Sequence, residues 1–190
     1  MKFEAIVIGL SSGGMSAMKM MFSILPKDFG IPIVIVQHIN ANSNGFWIKF
    51  LNDNSNLNIK EADEKEKIMP GNIYIAPPNY HLLIEKNKTF SLTIDERVNF
   101  ARPSIDVLFE TAAETYKEKL IGIVLTGANQ DGTEGIKHIK EFGGLAIIQD
   151  PETAESSYMP ASAMAAIKAD YILPLAEIIA LLIKIDQQKN

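Results

Sequence analysis

The chain alternates short, nearly unbroken apolar runs with stretches whose apolar positions recur every three to four residues. The runs Phe3 to Gly9, Ile31 to Gln37 ("IPIVIVQ"), Leu120 to Thr126 ("LIGIVLT") and Leu145 to Gln149 lack the alternation of a half-exposed strand, so they are expected as strands buried on both faces. Helical spacing begins near Gly13 and runs through Met15, Ala17, Met18, Met21, Phe22 and Leu25 until Pro26 stops it. A second helix is expected over Ile105, Leu108, Phe109, Ala112 and Tyr116, with Ser104 as N-cap and Pro103 just outside. Others are expected over Gly132 to Phe142, ending at Gly143-Gly144, and over Leu175 to Ile185. Shorter pieces are a helix at Trp47 to Leu51, a helix at Pro160 to Ala166 and a strand at Tyr171 to Leu173. One segment breaks the rhythm: "EADEKEKIMPGNIYIAPPNYHLLIEKNKTFSLTIDE" is strand-rich with Pro and Gly punctuation, which suits hairpins. The expected fold is α/β, a mostly parallel, doubly wound (Rossmann-like) three-layer sheet with an antiparallel hairpin excursion. No repeat or linker divides residues 1–190, which read as a single domain whose polar tail 186–190 frays.

Composition narrows the chemistry. At 190 residues a chain buries about 70% of its unfolded surface and needs no staples. It has no cysteine, which excludes thiol catalysis, Cys-ligated zinc and disulfides, and suits a reducing compartment. The net charge is −5 with both signs interspersed, so no basic stripe suggests nucleic acid. No apolar run approaches the length of a membrane span and no basic n-region precedes an apolar one, so membrane insertion and export are not expected and the cytoplasm is.

In open parallel sheets ligands bind beyond the carboxyl ends of the strands. The first strand is followed by "GLSSGG", bringing Ser11 and Ser12; the second by Gln37 and His38; the "LIGIVLT" strand by "TGANQDG", bringing Asn129 and Asp131. A serine, a histidine and a carboxylate are the parts of an activated nucleophile, and backbone N–H groups at a glycine-loop helix start suit a developing oxyanion. Each part has a plainer reading. The glycine loop could cradle a nucleotide phosphate, although it is G-x-x-x-G-G rather than G-x-G-x-x-G and no lysine-bearing P-loop is present. His38 could be a satisfied loop histidine, and Asp131 before Gly132 could cap the next helix. It is their joint occurrence at separate strand ends that favours catalysis.

Six blocks in order, "IGLSSGG", "VIVQHI", "YIAPPNYHLLI", "RPSIDVLFETAA", "IVLTGANQDGTEGI" and "IIQDPETAESSYMPASA", resemble the catalytic domain of the CheB-type protein-glutamate methylesterases of bacterial chemotaxis. The resemblance implies a cytoplasmic esterase that hydrolyses glutamate γ-methyl esters on chemoreceptor helices, often deamidating receptor glutamines as well, without metal or cofactor. It places the nucleophile on Ser11, the base on His38, the carboxylate on Asp131, and the oxyanion donors on the backbone N–H groups of Ser12 and Ala128. Family members usually carry threonine at Ser12, methionine at Ala128 and Gly-Asn at Asn129-Gln130. Full-length members also carry an N-terminal receiver domain, so the chain is expected either as an excised domain with a receiver partner in cis or in trans, or as a stand-alone esterase without that regulation. The competing classes are a Rossmann-like nucleotide-binding module and a degenerate esterase kept as a scaffold.

Further residues invite roles. Arg102 at a helix entry could hold a substrate carboxylate or a helix-entry ion pair. Tyr158 and Met159 could wall a groove for a receptor helix. His81, among apolar neighbours in "NYHLLI", reads as structural, His138 as solvated, and Met15, Met18 and Met21 as core packing.

Overall fold

The computed structural model describes residues 3–38 and 46–188. The first half runs β1 (Ala5–Leu10), α1 (Gly14–Ile24), β2 (Ile33–Gln37), α2 (Phe46–Asp53), β3 (Asn58–Glu61), β4 (Asn72–Ile75), β5 (His81–Ile84) and β6 (Phe90–Thr93). The second runs α3 (Ile105–Tyr116), β7 (Leu120–Val124), α4 (Thr133–Glu141), β8 (Leu145–Gln149), α5 (Tyr158–Ala166), β9 (Tyr171–Leu173) and α6 (Leu175–Gln187). Seven strands form one sheet in the order β3-β4-β2-β1-β7-β8-β9, and every pairing in it is parallel. The strands β1, β2 and β7 are buried along their whole length, as their unbroken apolar runs require of a sheet covered on both faces.

Alternation along β1 splits the core. Ile6, Ile8 and Leu10 pack with α1 and α6, while Ala5 and Val7 face the layer built from α3, α4, α5 and the β5–β6 hairpin. The segment expected to form hairpins does so only in part. β5 and β6 pair antiparallel, but β3 and β4 enter the main sheet as parallel neighbours. The connection between them is held instead on the hairpin, where Lys65 N–H donates to Phe90 O, Phe90 N–H to Glu66 O and Ile68 N–H to Lys88 O. The tail also differs from expectation. Helix α6 continues to Gln187, and Asp186, 4% exposed, accepts the Gly30 N–H at 3.1 Å. Residues 189 and 190 lie outside the described residues.

The chain leaves β1 toward β2 on one side and returns through β7 on the other. That reversal opens a crevice at the carboxyl ends of β2, β1 and β7, the place where doubly wound sheets hold their ligands.

Candidate active site

Ser11, His38 and Asn129 line a groove of about 360 Å³ whose far wall is the loop between β6 and α3, including Asn99, Phe100 and Arg102. The floor is fastened from several strands. Ser11 N–H donates to Thr126 O at 2.9 Å, tying β1's exit to that of β7. The buried Gln37 amide donates to both Ser11 O (3.0 Å) and His38 O (2.9 Å), so one side chain joins the serine loop to the histidine. Thr126 Oγ1 donates to Ser12 O at 2.8 Å and accepts the Ser156 N–H at 2.8 Å.

The glycines after Ser12 permit this crossing. Gly13 has φ +82, in the left-handed region, and a Cβ at Gly14 would lie 1.9 Å from Gln37 Oε1. A Cβ on Gly13 would meet the Glu155 side chain, whose carboxyl carbon lies 3.0 Å from that point. An acidic side chain packed over the loop is unsuited to a bound phosphate. Among the described residues the N–H groups of Ser12 and Ala128 have no protein acceptor. Each stands next in the chain to a residue that lines the groove, Ser11 and Asn129.

His38 Nε2 lies 2.8 Å from Asp131 Oδ2. Asn129 Oδ1 accepts the Asp131 N–H at 3.1 Å, which turns the other end of its amide, Nδ2, to His38 Nδ1 at 3.2 Å. This network fixes the tautomer. Nε2 carries the proton given to Asp131, and Nδ1 is the ring's acceptor. Among the described residues Ser11 Oγ makes no hydrogen bond to the ring; Asn129 occupies the nitrogen it would use.

Asp131 is fully buried, yet it does not cap α4, the helix it precedes. It caps α3. Its Oδ1 accepts Ser104 Oγ–H (2.9 Å), the Asp106 N–H (3.2 Å) and Asn99 Nδ2–H (3.2 Å), and its Oδ2 accepts the Ile105 N–H at 2.7 Å beside His38. Ser104 therefore stands at the N-cap position but spends its hydroxyl on Asp131 rather than on its own helix. Burial, the largest influence, pushes the Asp131 carboxyl up, but the bond with His38, the Ile105 N–H, the charge of His38 and the Asp106 N–H outweigh it and hold it below the ordinary carboxylate range.

Helix α4 is capped in return from α3. Asp106 Oδ1 accepts the Gly135 N–H at 2.7 Å, and its Oδ2 accepts Asn99 Nδ2–H at 2.8 Å. Burial raises the Asp106 carboxyl to about 6; the Gly135 N–H opposes the rise, and the charge of Asp131 adds to it.

The other expected site residues fall in different places. Arg102 lines the groove, but its Nη1 is held by Ile94 O (2.6 Å) and Asp95 O (2.8 Å), which makes it a brace for the loop. Met159 has no exposed surface and cannot wall a groove: its side chain fills the space beside Gly127, under the Ala128 turn. Tyr158 is exposed at the start of α5. His81 is buried, accepting the Ser104 N–H on Nδ1 and donating from Nε2 to Glu96 O, so it ties the loop wall to the hairpin. His138 is half-buried and stacks on Phe142. Sequence reasoning gives no role to Asn99, Asp106 or Thr126, and it places Gln37 only at a strand end. The available signals were an asparagine able to take a left-handed φ (50° at Asn99) and an acid in a helix's first turn.

Comparison with known proteins bears on this arrangement. The CheB methylesterase family model matches residues 6–182. A protein-glutamate methylesterase/protein-glutamine glutaminase homologue of Leptospira interrogans is 62% identical over 187 residues, covering 98% of this chain and 97% of its own. The protein-glutamate methylesterase/protein-glutamine glutaminase of Thermotoga maritima is 38% identical over 178 residues, 92% of this chain but 52% of that longer protein. The crystal structure of the Thermotoga maritima CheB methylesterase catalytic domain matches with a TM-score of 0.92 at 38% identity, covering 97% of this chain and 100% of that one. With its seven parallel strands and its reactive groups gathered at their carboxyl ends, the chain belongs to the CheB methylesterase family.

Proposed function

We propose that this chain is a cytoplasmic serine esterase that hydrolyses glutamate γ-methyl esters on chemoreceptor helices, and that the same site deamidates receptor glutamines. The observation that carries the reading is the 2.8 Å His38–Asp131 bond inside the groove that Ser11 lines. Ser11 is the nucleophile. Because Nε2 is committed to Asp131, the base is His38 Nδ1, and the Ser11 hydroxyl displaces the Asn129 amide from it when a substrate is seated.

As Ser11 Oγ attacks the γ-carbonyl, its proton passes to Nδ1 and the carbonyl oxygen becomes an oxyanion taken up by the Ser12 and Ala128 N–H groups. The imidazolium returns the proton to the methoxy oxygen, methanol leaves, and an acyl-serine remains. Water then attacks with His38 again as base, releasing the glutamate carboxylate and the serine. For a glutamine side chain the leaving group is ammonia.

A fluorophosphonate probe tests the assignment. Wild-type protein is labelled on Ser11, while Ser11→Ala and His38→Ala are not; labelling that persists in Ser11→Ala and disappears in Ser12→Ala overturns it.

A further inference from the structure

Asp106 is 4% exposed, has no role in the steps above, and shares its surroundings with a second buried carboxylate. It is linked to Asp131 twice: by its own N–H, which donates to Asp131 Oδ1 at 3.2 Å, and by Asn99, whose single Nδ2 donates to Asp106 Oδ2 (2.8 Å) and to Asp131 Oδ1 (3.2 Å). Other carboxylates surround it. Glu110 stands one turn along α3, and the α4 groups Glu134 and His138 face Glu110 in turn; Gly135 of α4 and Asn99 of the loop contribute neutral donors. Two acids bridged by one amide at the foot of a histidine is a costly arrangement to bury.

A cap for α4 would not need that charge, since an asparagine could take the Gly135 N–H equally well. What the charge alone supplies is a second negative group behind the Asp131–His38 pair, and a firm acceptor for the amide that steadies Asp131.

We propose that Asp106 is a positioning residue for ester hydrolysis: ionised, it holds Asn99 against Asp131 and favours the protonated form of His38 that each proton transfer creates. This rests on the serine-esterase reading given above. Because burial holds the Asp106 carboxyl at about 6, its charge is present at neutral pH and is lost on mild acidification.

The test is the pH dependence of fluorophosphonate labelling at Ser11, which needs no receptor substrate, in wild type, Asp106→Asn and Asn99→Ala. Asp106→Asn keeps an oxygen for the Gly135 N–H; Asn99→Ala breaks the bridge while leaving both helix caps. In wild type the labelling rate carries an ionisation near pH 6 that Asp106→Asn lacks, and the Asp106→Asn plateau is lower by about tenfold. Asn99→Ala lowers the plateau severalfold and keeps that ionisation. If the Asp106→Asn profile parallels wild type, or the Asn99→Ala profile superimposes on it, the proposal is wrong. Should Asp106→Asn fail to fold, the Asn99→Ala profile decides alone. Absence of labelling in wild type would instead overturn the esterase reading on which this one stands.

Discussion

Replacing Asp131 by asparagine separates what the carboxylate does for catalysis from what it does for the fold. Oδ1 serves three donors and Oδ2 two, whereas an amide offers one accepting oxygen. If the NH2 takes the place of Oδ2, it faces the Ile105 N–H; if it takes the place of Oδ1, it faces the Asp106 N–H. Rotation of Ser104, a flip of Asn99 or a change of His38 tautomer can relieve the side-chain donors, but neither backbone N–H can turn away. One buried donor in the first turn of α3 is stranded either way, at a cost of about 1–3 kcal/mol. In a domain of this size that lowers Tm by roughly 3–10 °C. Catalysis suffers more, because the charge that steadies the imidazolium is gone, and labelling of Ser11 slows by about 10³–10⁴-fold. Ser11→Ala is the control: it loses activity outright, and since Ser11 Oγ has no hydrogen bond among the described residues, its Tm stays within about 2 °C of wild type. Thermal melts and labelling rates on the same preparations provide the assay. An Asp131→Asn protein that melts with wild type, or labels within tenfold of it, would refute the reasoning.

Other outcomes follow from the same contacts. Asn129→Ala frees His38 Nδ1 for Ser11 and raises the labelling rate about fivefold, the worth of one ordinary hydrogen bond; a slower rate would mean that Asn129 assists the base. Asp106 rises from an ordinary 3.8 to about 6 on folding, so the native state binds its proton more tightly and stability falls as pH rises through that window. The stability of Asp106→Asn relative to wild type should therefore grow by about 2 kcal/mol between pH 4 and pH 7 in denaturant titrations, and a constant difference would contradict the raised value. Gly14→Ala puts a methyl where Gln37 Oε1 stands, unhooks Ser11 O and His38 O, and lowers the labelling rate at least tenfold; an unchanged rate would show that the Gln37 clamp is dispensable.

The fold was legible where a residue's local neighbourhood decides its fate. The runs "AIVIGL" and "LIGIV" are apolar on both faces and can only be interior strands, and Pro26 and Gly143 punctuate their helices as expected. Strands β3 and β4 were less legible because "NIKE" and "NIYI" alternate like hairpin strands, and their parallel pairing depends on a connection held by the hairpin's backbone. Likewise, Ser11, His38 and Asp131 stand out as reactive types at strand ends, but what surrounds them is set by long-range packing. That Asp131 caps α3 rather than α4, that Asp106 answers it, and that Met159 turns inward beneath Gly127 all depend on how α3, α4 and α5 lie over the sheet. No spacing along the chain encodes that.

The exchange of caps between α3 and α4 also bears on the order in which the molecule matures. Asp131 meets its donors only once the two helices have docked, and until then the carboxylate has neither its depressed proton affinity nor its aim at His38. A nascent or partly melted chain that holds its sheet and its serine loop but lacks this docking is left without the aligned pair. On the serine-esterase reading, ester cleavage therefore reports that this helix pair has closed.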